Sequence, residues 1–145
     1  MTDVRFTGVK MTDLACAAVA IYEGYVYKDD GSGQMTPCTA ITDTAIAVAA
    51  YSSIDPQLGT AKTMTAGDSH AFYLLGSGAI VNVVSVGSIT WQFGDVAYLS
   101  TTTGYVTNSQ GSSAKKIGHY IGKDAVAATA GDFVQIVLDV PIGTT

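Results

Sequence analysis

From Gly24 onward the apolar positions fall into short β-branched and aromatic runs separated by clusters of Gly, Asp, Ser and Thr. Nine such runs stand out: YVYK (25–28), AIAVAAY (45–51), AFYLL (71–75), AIVNVVSV (79–86), SITWQ (88–92), DVAYL (95–99), YVTN (105–108), KIGHYIG (116–122) and FVQIVLDV (133–140). Nine short strands joined by tight turns predict an all-β fold, a small barrel- or sandwich-like domain over residues 24–145. The connecting turns KDDGSGQ and STTTGYV carry Gly31, Gly33 and Gly104, where a hairpin needs positive φ.

Residues 1–23 follow a different pattern. In MTDVRFTGVKMT, Val4 and Phe6 alternate with Asp3, Arg5 and Thr7, and Val9 and Met11 alternate with Gly8 and Lys10, which describes an extended arm with one apolar edge. In MTDLACAAVAIYEG, Thr12 can cap and Asp13 suits a positive helix end, so a short helix ending before Gly24 is one reading. A strand through AVAIY is the other, and the pattern alone leaves both open.

The turn TAGD occurs twice, at Thr65–Asp68 and at Thr129–Asp132. Around it the order of turn, hairpin, strand and turn repeats: Gly24-Tyr25-Val26 corresponds to Gly94-Asp95-Val96, and Ile46 to Ile117. Residues 24–86 and 94–141 therefore read as two copies of one β unit joined through GSITWQ, the first copy carrying the longer loop SSIDPQLG. Two half-units that cannot each bury an apolar face are expected to close on one another around a single core. The arm has no counterpart in the second copy on this division.

The chain has 145 residues, enough for one domain with a genuine core at 48% hydrophobic composition. Only 13% of residues are charged, about half of the roughly 25% of an average soluble domain, which predicts a surface partly covered by partners. The net charge is −5 and no basic stripe is present, so nucleic acid is not an expected ligand. The longest apolar run, LACAAVAI, falls far short of the ~20 residues that span a bilayer, so no membrane association is expected and a cytosolic product is. Cys16 and Cys38 are too far apart for a redox CxxC and read as small buried hydrophobes.

Candidate chemistry is sparse. Asp68-Ser69-His70 holds the residue types of a hydrolase triad, yet successive strand residues point to opposite faces, which separates Ser69 from His70. Gly76-Ser77-Gly78 does not complete a nucleophile elbow. His70 and His119 lie apart from each other and from both cysteines, short of the three or four ligands zinc requires. KDDGSG lacks the alternating oxygens and terminal Glu of a calcium loop. Tyr22, Tyr25 and Tyr27 form the one close aromatic group, suited either to strand packing or to stacking on a sugar. No cofactor fingerprint appears, and the expectation is a protein without catalytic, metal or cofactor residues.

Over residues 93–141 the chain resembles the small decoration, or cement, proteins of tailed-bacteriophage capsids. The resemblance rests on Gly94-Asp95 opening a strand, Thr103-Gly104 turning into YVT, KKIGHYIGKDA, and Ala130-Gly131-Asp132 leading into a final apolar strand that ends at Pro141. It implies a β-rich, frequently trimeric protein made in the host cytoplasm. Such a protein sits on the outer surface of the virion capsid, bridges neighbouring major capsid subunits and stabilises the shell. The expected contacts with capsid or neighbouring subunits are Val4, Phe6, Val9 and Met11 of the arm, together with Trp91. The alternative is a carbohydrate-binding or host-attachment β module on a virion surface, with a small hydrolase behind it.

Overall fold

A computed structural model describes residues 11–145. It contains β1 (Thr12–Ala15), β2 (Val26–Asp29), β3 (Met35–Pro37), β4 (Ala45–Ala49), β5 (Ser69–Leu74), β6 (Ile80–Val84), β7 (Ile89–Trp91), β8 (Val96–Leu99), β9 (Val106–Thr107), β10 (Lys116–Tyr120), β11 (Val126–Ala128) and β12 (Phe133–Val137). All nine runs identified by pattern contain strand.

No helix occurs among the described residues, which overturns the helical reading of the segment after Thr12. Thr12–Ala15 instead pairs antiparallel with β5, from Thr12 opposite Phe72 to Ala15 opposite Ser69. Alanine propensity is worth only tenths of a kcal/mol per residue, and a helix of this length is marginal by itself. A sheet ladder that also seats Cys16 and Ile21 at 0% exposure outweighs it. The competing strand through AVAIY is reduced to one antiparallel bridge, Ala20 opposite Thr63.

The strands form two five-stranded antiparallel sheets, ordered β1-β5-β4-β2-β3 and β6-β12-β10-β8-β9, and a ribbon of β11 and β7. The two orders are the same order written for two successive units. Both sheets carry a register shift at the same place, between Tyr27 and Lys28 against β4 and between Lys116 and Gly118 against β8. A parallel bridge draws the outer strands together at one end of each sheet, Cys16 to Met35 in one and Ser85 to Val106 in the other. Each sheet is thus strongly curled, and the whole packs as a sandwich-like domain without a closed barrel. The bridge of Ala20 to Thr63 matches the pairing of Thr90 with Ala127 in the ribbon.

Sheet membership places the seam between the units at β5/β6. β6, which the sequence pattern assigns to the first copy, belongs to the second sheet, and β1, in the segment that the pattern left outside both copies, is its counterpart in the first. Turn signals locate hairpins but carry no information about which sheet a strand joins.

Two clusters fill the interior. One draws Val26, Cys38, Ala45, Val48 and Leu75 of the first unit together with Val83, Leu99, Ile117, Ile136 and Leu138 of the second. The other is local to the first unit, where Ile21 and Met64 cover Tyr27, Ala47, Ala49 and Phe72. β2 and β4 present apolar side chains to both clusters by strand alternation: the adjacent Val26 and Tyr27 face opposite sides of the sheet, one in each cluster, and both are 0% exposed.

Candidate functional site

The triad-like string is dispersed by the fold. Asp68 closes the TAGD turn, its N–H donating to the Thr65 carbonyl at 2.9 Å, and Ser69 opens β5 on the exposed side. His70 points inward, with Nε2 2.7 Å from the Tyr51 carbonyl and its ring tilted against Tyr51 and edge-on to Phe72. A ring packed this way orients no hydroxyl of Ser69. His119 lies on β10 with Nδ1 2.8 and 3.0 Å from the two carboxylate oxygens of Asp139, at the surface.

The remaining candidates resolve similarly. Asp29 accepts from the N–H groups of Gly31 and Gly33, and Asp30 from those of Ser32 and Gln34, so both carboxylates shape their own hairpin tip. Cys16 and Cys38 are buried free thiols in different clusters, and burial pushes their pKa values up to about 11 and about 12. Among the described residues no group of three His, Cys, Asp or Glu side chains could hold a metal ion.

The tyrosine group divides. Tyr27 is buried, its hydroxyl accepting from the Tyr22 N–H at 2.9 Å, and burial raises its pKa well above the usual phenol value. Tyr22 and Tyr25 remain near the surface with centroids 5.0 Å apart, and Tyr105 of the second unit meets Tyr25 edge-on at 5.4 Å.

Of the expected contact residues, Val4, Phe6 and Val9 lie outside the described residues. Met11 is 51% exposed immediately before β1. Trp91 is a correction: it is fully buried against Tyr120 with its indole N–H bonded to Ser85, and so cannot touch a partner. The pattern missed the side chains that do reach out, chiefly Leu58, Phe93, Ile80 and Phe133. Two of them sit on backbone held by carboxylates. Asp55 accepts from the N–H groups of Gln57 and Leu58, and the Phe93 N–H donates to Asp124 at 2.9 Å. In WQFG the neighbouring Gly94 is the signal that Phe93 belongs to a turn, where strand alternation no longer applies.

Two open clefts lie on the surface of the described residues. One of about 320 Å³ has Ile41, Val86 and Leu99 beside the hydroxyls of Ser100, Thr102 and Thr107. The other, about 260 Å³, lies between Glu23, Tyr73, Asn82 and Gln135. Neither lining contains a His or Cys, so neither holds an activated nucleophile of those types. What the arrangement presents is exposed apolar side chains on hydrogen-bonded turns, chiefly Leu58 and Phe93. No protein-family model and no curated protein sequence matches this chain.

Proposed function

We propose that the protein is a structural virion component that binds the outer surface of an assembled phage capsid and stabilises it by bridging major capsid subunits. The observation that carries this reading is the set of large apolar side chains turned outward on hydrogen-bonded backbone, Leu58 at 73% and Phe93 at 67% exposure, on a scaffold whose described residues form strands and turns without helix. Burying exposed apolar groups of this kind against another surface removes apolar area from water, which favours attachment. The low charge content is consistent with it, because few ions would need desolvation at the contact. The arm adds a second element: residues 1–10 precede Met11 and lead into β1, the outermost strand of the first sheet.

The test is sedimentation of purified protein with undecorated, empty phage shells, for the full chain and for a chain lacking residues 2–11. Stoichiometric pelleting of the full chain, with raised thermal stability of the shells, is the expected result. Failure to pellet with any shell tested, while the protein remains folded, overturns the reading. The partly exposed Tyr22, Tyr25 and Tyr105 rings favour a second reading as a carbohydrate-binding module, and saturable glycan binding quenched by Tyr22→Ala would replace the first.

A further inference from the structure

The open cleft of about 260 Å³ at the seam between the units gathers polar side chains from both of them. The chain has one glutamate, Glu23, and two asparagines, Asn82 and Asn108. Glu23 and Asn82 both line this cleft, with Tyr73 and Gln135 beside them. Asn82 on β6 stands directly opposite Gln135 on β12, so the two amides are neighbours on one face of the sheet. Tyr73 comes from β5 of the first unit, its ring packed against the larger cluster.

Glu23 is positioned through its backbone. Its N–H donates to the Ser52 hydroxyl at 2.8 Å, the Gly24 N–H to the Ala49 carbonyl at 3.1 Å, and the Val84 N–H of β6 to the Gly24 carbonyl at 3.1 Å. A Cβ on Gly24 would stand 3.0 Å from the Asn82 carbonyl oxygen, so the segments carrying Glu23 and Asn82 meet closely. Both units therefore set the site before anything binds.

The fold does not use these side chains. Elsewhere Asp29, Asp55, Asp95 and Asp132 accept N–H groups of their own turns, and Asn108 bonds to the Thr90 carbonyl and to Asp95. Among the described residues, the side chains of Glu23, Tyr73, Asn82 and Gln135 make no such bond. The duplication adds a control. Gly24 donates to Ala49 and Ala50 to Ala71 as Gly94 does to Tyr120 and Ile121 to Gln135, and Tyr73 stands opposite Val48 as Val137 stands opposite His119. Glu23, Ala50 and Tyr73 thus correspond to Phe93, Ile121 and Val137, and the same backbone forms without a polar set.

The chemistry of the four side chains selects a ligand. Each amide offers donors and an acceptor, the phenol does both, and the carboxylate accepts. Hydroxyl groups are the complement, since each donates and accepts at once. A guanidinium or ammonium only donates and would leave the amide N–H groups unpaired. An anion would meet Glu23 with no Lys, Arg or His in the lining to balance it. Ala50, Ile80 and the Tyr73 ring supply an apolar side for the C–H face of a pyranose. We propose that the cleft is a subsite for one neutral sugar residue, hydrogen-bonded to Glu23, Asn82 and Gln135. Its volume of about 260 Å³, below the roughly 300 Å³ at which pockets for drug-sized molecules begin, suits a single ring. None of Tyr22, Tyr25 and Tyr105 lines it. Capsid attachment is a separate matter: protein that coats shells and binds no sugar would sink only this proposal, and protein that binds sugar here and ignores shells would sink only the decoration reading.

The experiment is a titration of the isotope-labelled full chain, followed by two-dimensional NMR, with the methyl glycosides of glucose, galactose, mannose and N-acetylglucosamine, with methyl glucuronide and with argininamide. At least one neutral glycoside is expected to shift the side-chain amide signals of Asn82 and Gln135 saturably, and methyl glucuronide to leave them in place. Asn82→Ala is expected to abolish the effect, and Glu23→Gln to weaken binding by about tenfold, the worth of one hydrogen bond to a charged group. Tyr22→Ala is expected to bind as wild type does, and thermal melting checks that each variant folds. Three results would overturn the proposal: no shift with any neutral glycoside, binding that survives Asn82→Ala and is lost in Tyr22→Ala, or glucuronide binding as tight as that of the neutral sugars. A cleft that takes argininamide alone would overturn it too, as a seat for a basic side chain.

Discussion

The Trp91 indole N–H donates to the Ser85 hydroxyl at 2.9 Å, with the Trp91 and Ser85 residues both 0% exposed. The Ser85 hydroxyl in turn donates to the Val86 carbonyl at 2.8 Å, so the buried polar atoms form a short satisfied chain at the end of β6.

Ser85→Ala should leave the indole N–H without its acceptor inside the core, a loss of about 1–3 kcal/mol for an orphaned buried donor. Trp91→Ala should cost more, about 3–5 kcal/mol, because a cavity is added to the lost transfer energy. Urea denaturation monitored by far-UV circular dichroism checks both, and equal midpoints for Ser85→Ala and wild type would contradict the first.

This pair also shows what the sequence reveals and what it withholds. The all-β class and all nine runs are legible, because strand composition and Gly-rich turns act locally. β3 and β11 are not, since three-residue strands such as MTP and VAA owe their conformation to a partner strand. Trp91 and Phe93 stand two apart and would share a face on a continuous strand, but the turn closed by Asp95 N–H to the Gln92 carbonyl reverses Phe93 into solvent. The equivalence of β1 with β6 was hidden for the same kind of reason: LACAAVA and VNVVSV share neither residues nor alternation, only a place in their sheets.

The two thiols should be inert in the native state. Burial raises both pKa values, to about 11 for Cys16 and about 12 for Cys38, so at neutral pH neither is a thiolate. Labelling with a disulfide reagent is expected to be slow until denaturant is added and then to report two thiols together. Rapid labelling of either without denaturant would contradict the buried placement.

Asp43 should make stability acid-sensitive. Burial alone would raise its pKa, but the N–H groups of Ala40 and Thr39 and the Lys28 ammonium, 3.0 Å away, more than offset this and hold it below the usual carboxylate value. A depressed native pKa means that the stabilisation is present above the unfolded-state pKa and is lost as pH falls through the native one. Asp43→Asn is therefore expected to melt lower than wild type at neutral pH, with the difference shrinking toward strongly acidic pH. Parallel melting curves across that range would count against this role.

Gly118 and Ala47 occupy equivalent places in the two sheets, Gly118 opposite Ala97 in one and Ala47 opposite Tyr27 in the other, each directly beside the register shift. Yet they are not interchangeable. The Ala47 methyl group is accommodated at 0% exposure, whereas a Cβ on Gly118 would collide with the Val137 carbonyl oxygen and lie 2.8 Å from Ile136 Cγ2. Both neighbours belong to β12, the adjacent strand of the same sheet, so relief requires β10 and β12 to separate where His119 and Tyr120 pair with Val137 and Ile136. Gly118→Ala should thus destabilise by more than the ~1–3 kcal/mol typical of overpacking, because backbone and not a rotatable side chain must move. Ala47→Gly should cost only about 1–2 kcal/mol, from added backbone freedom and one lost buried methyl. Side-by-side urea midpoints decide the matter. A Gly118→Ala protein as stable as wild type would show that the two sheets pack alike at this position, and the difference argued from Val137 would be wrong.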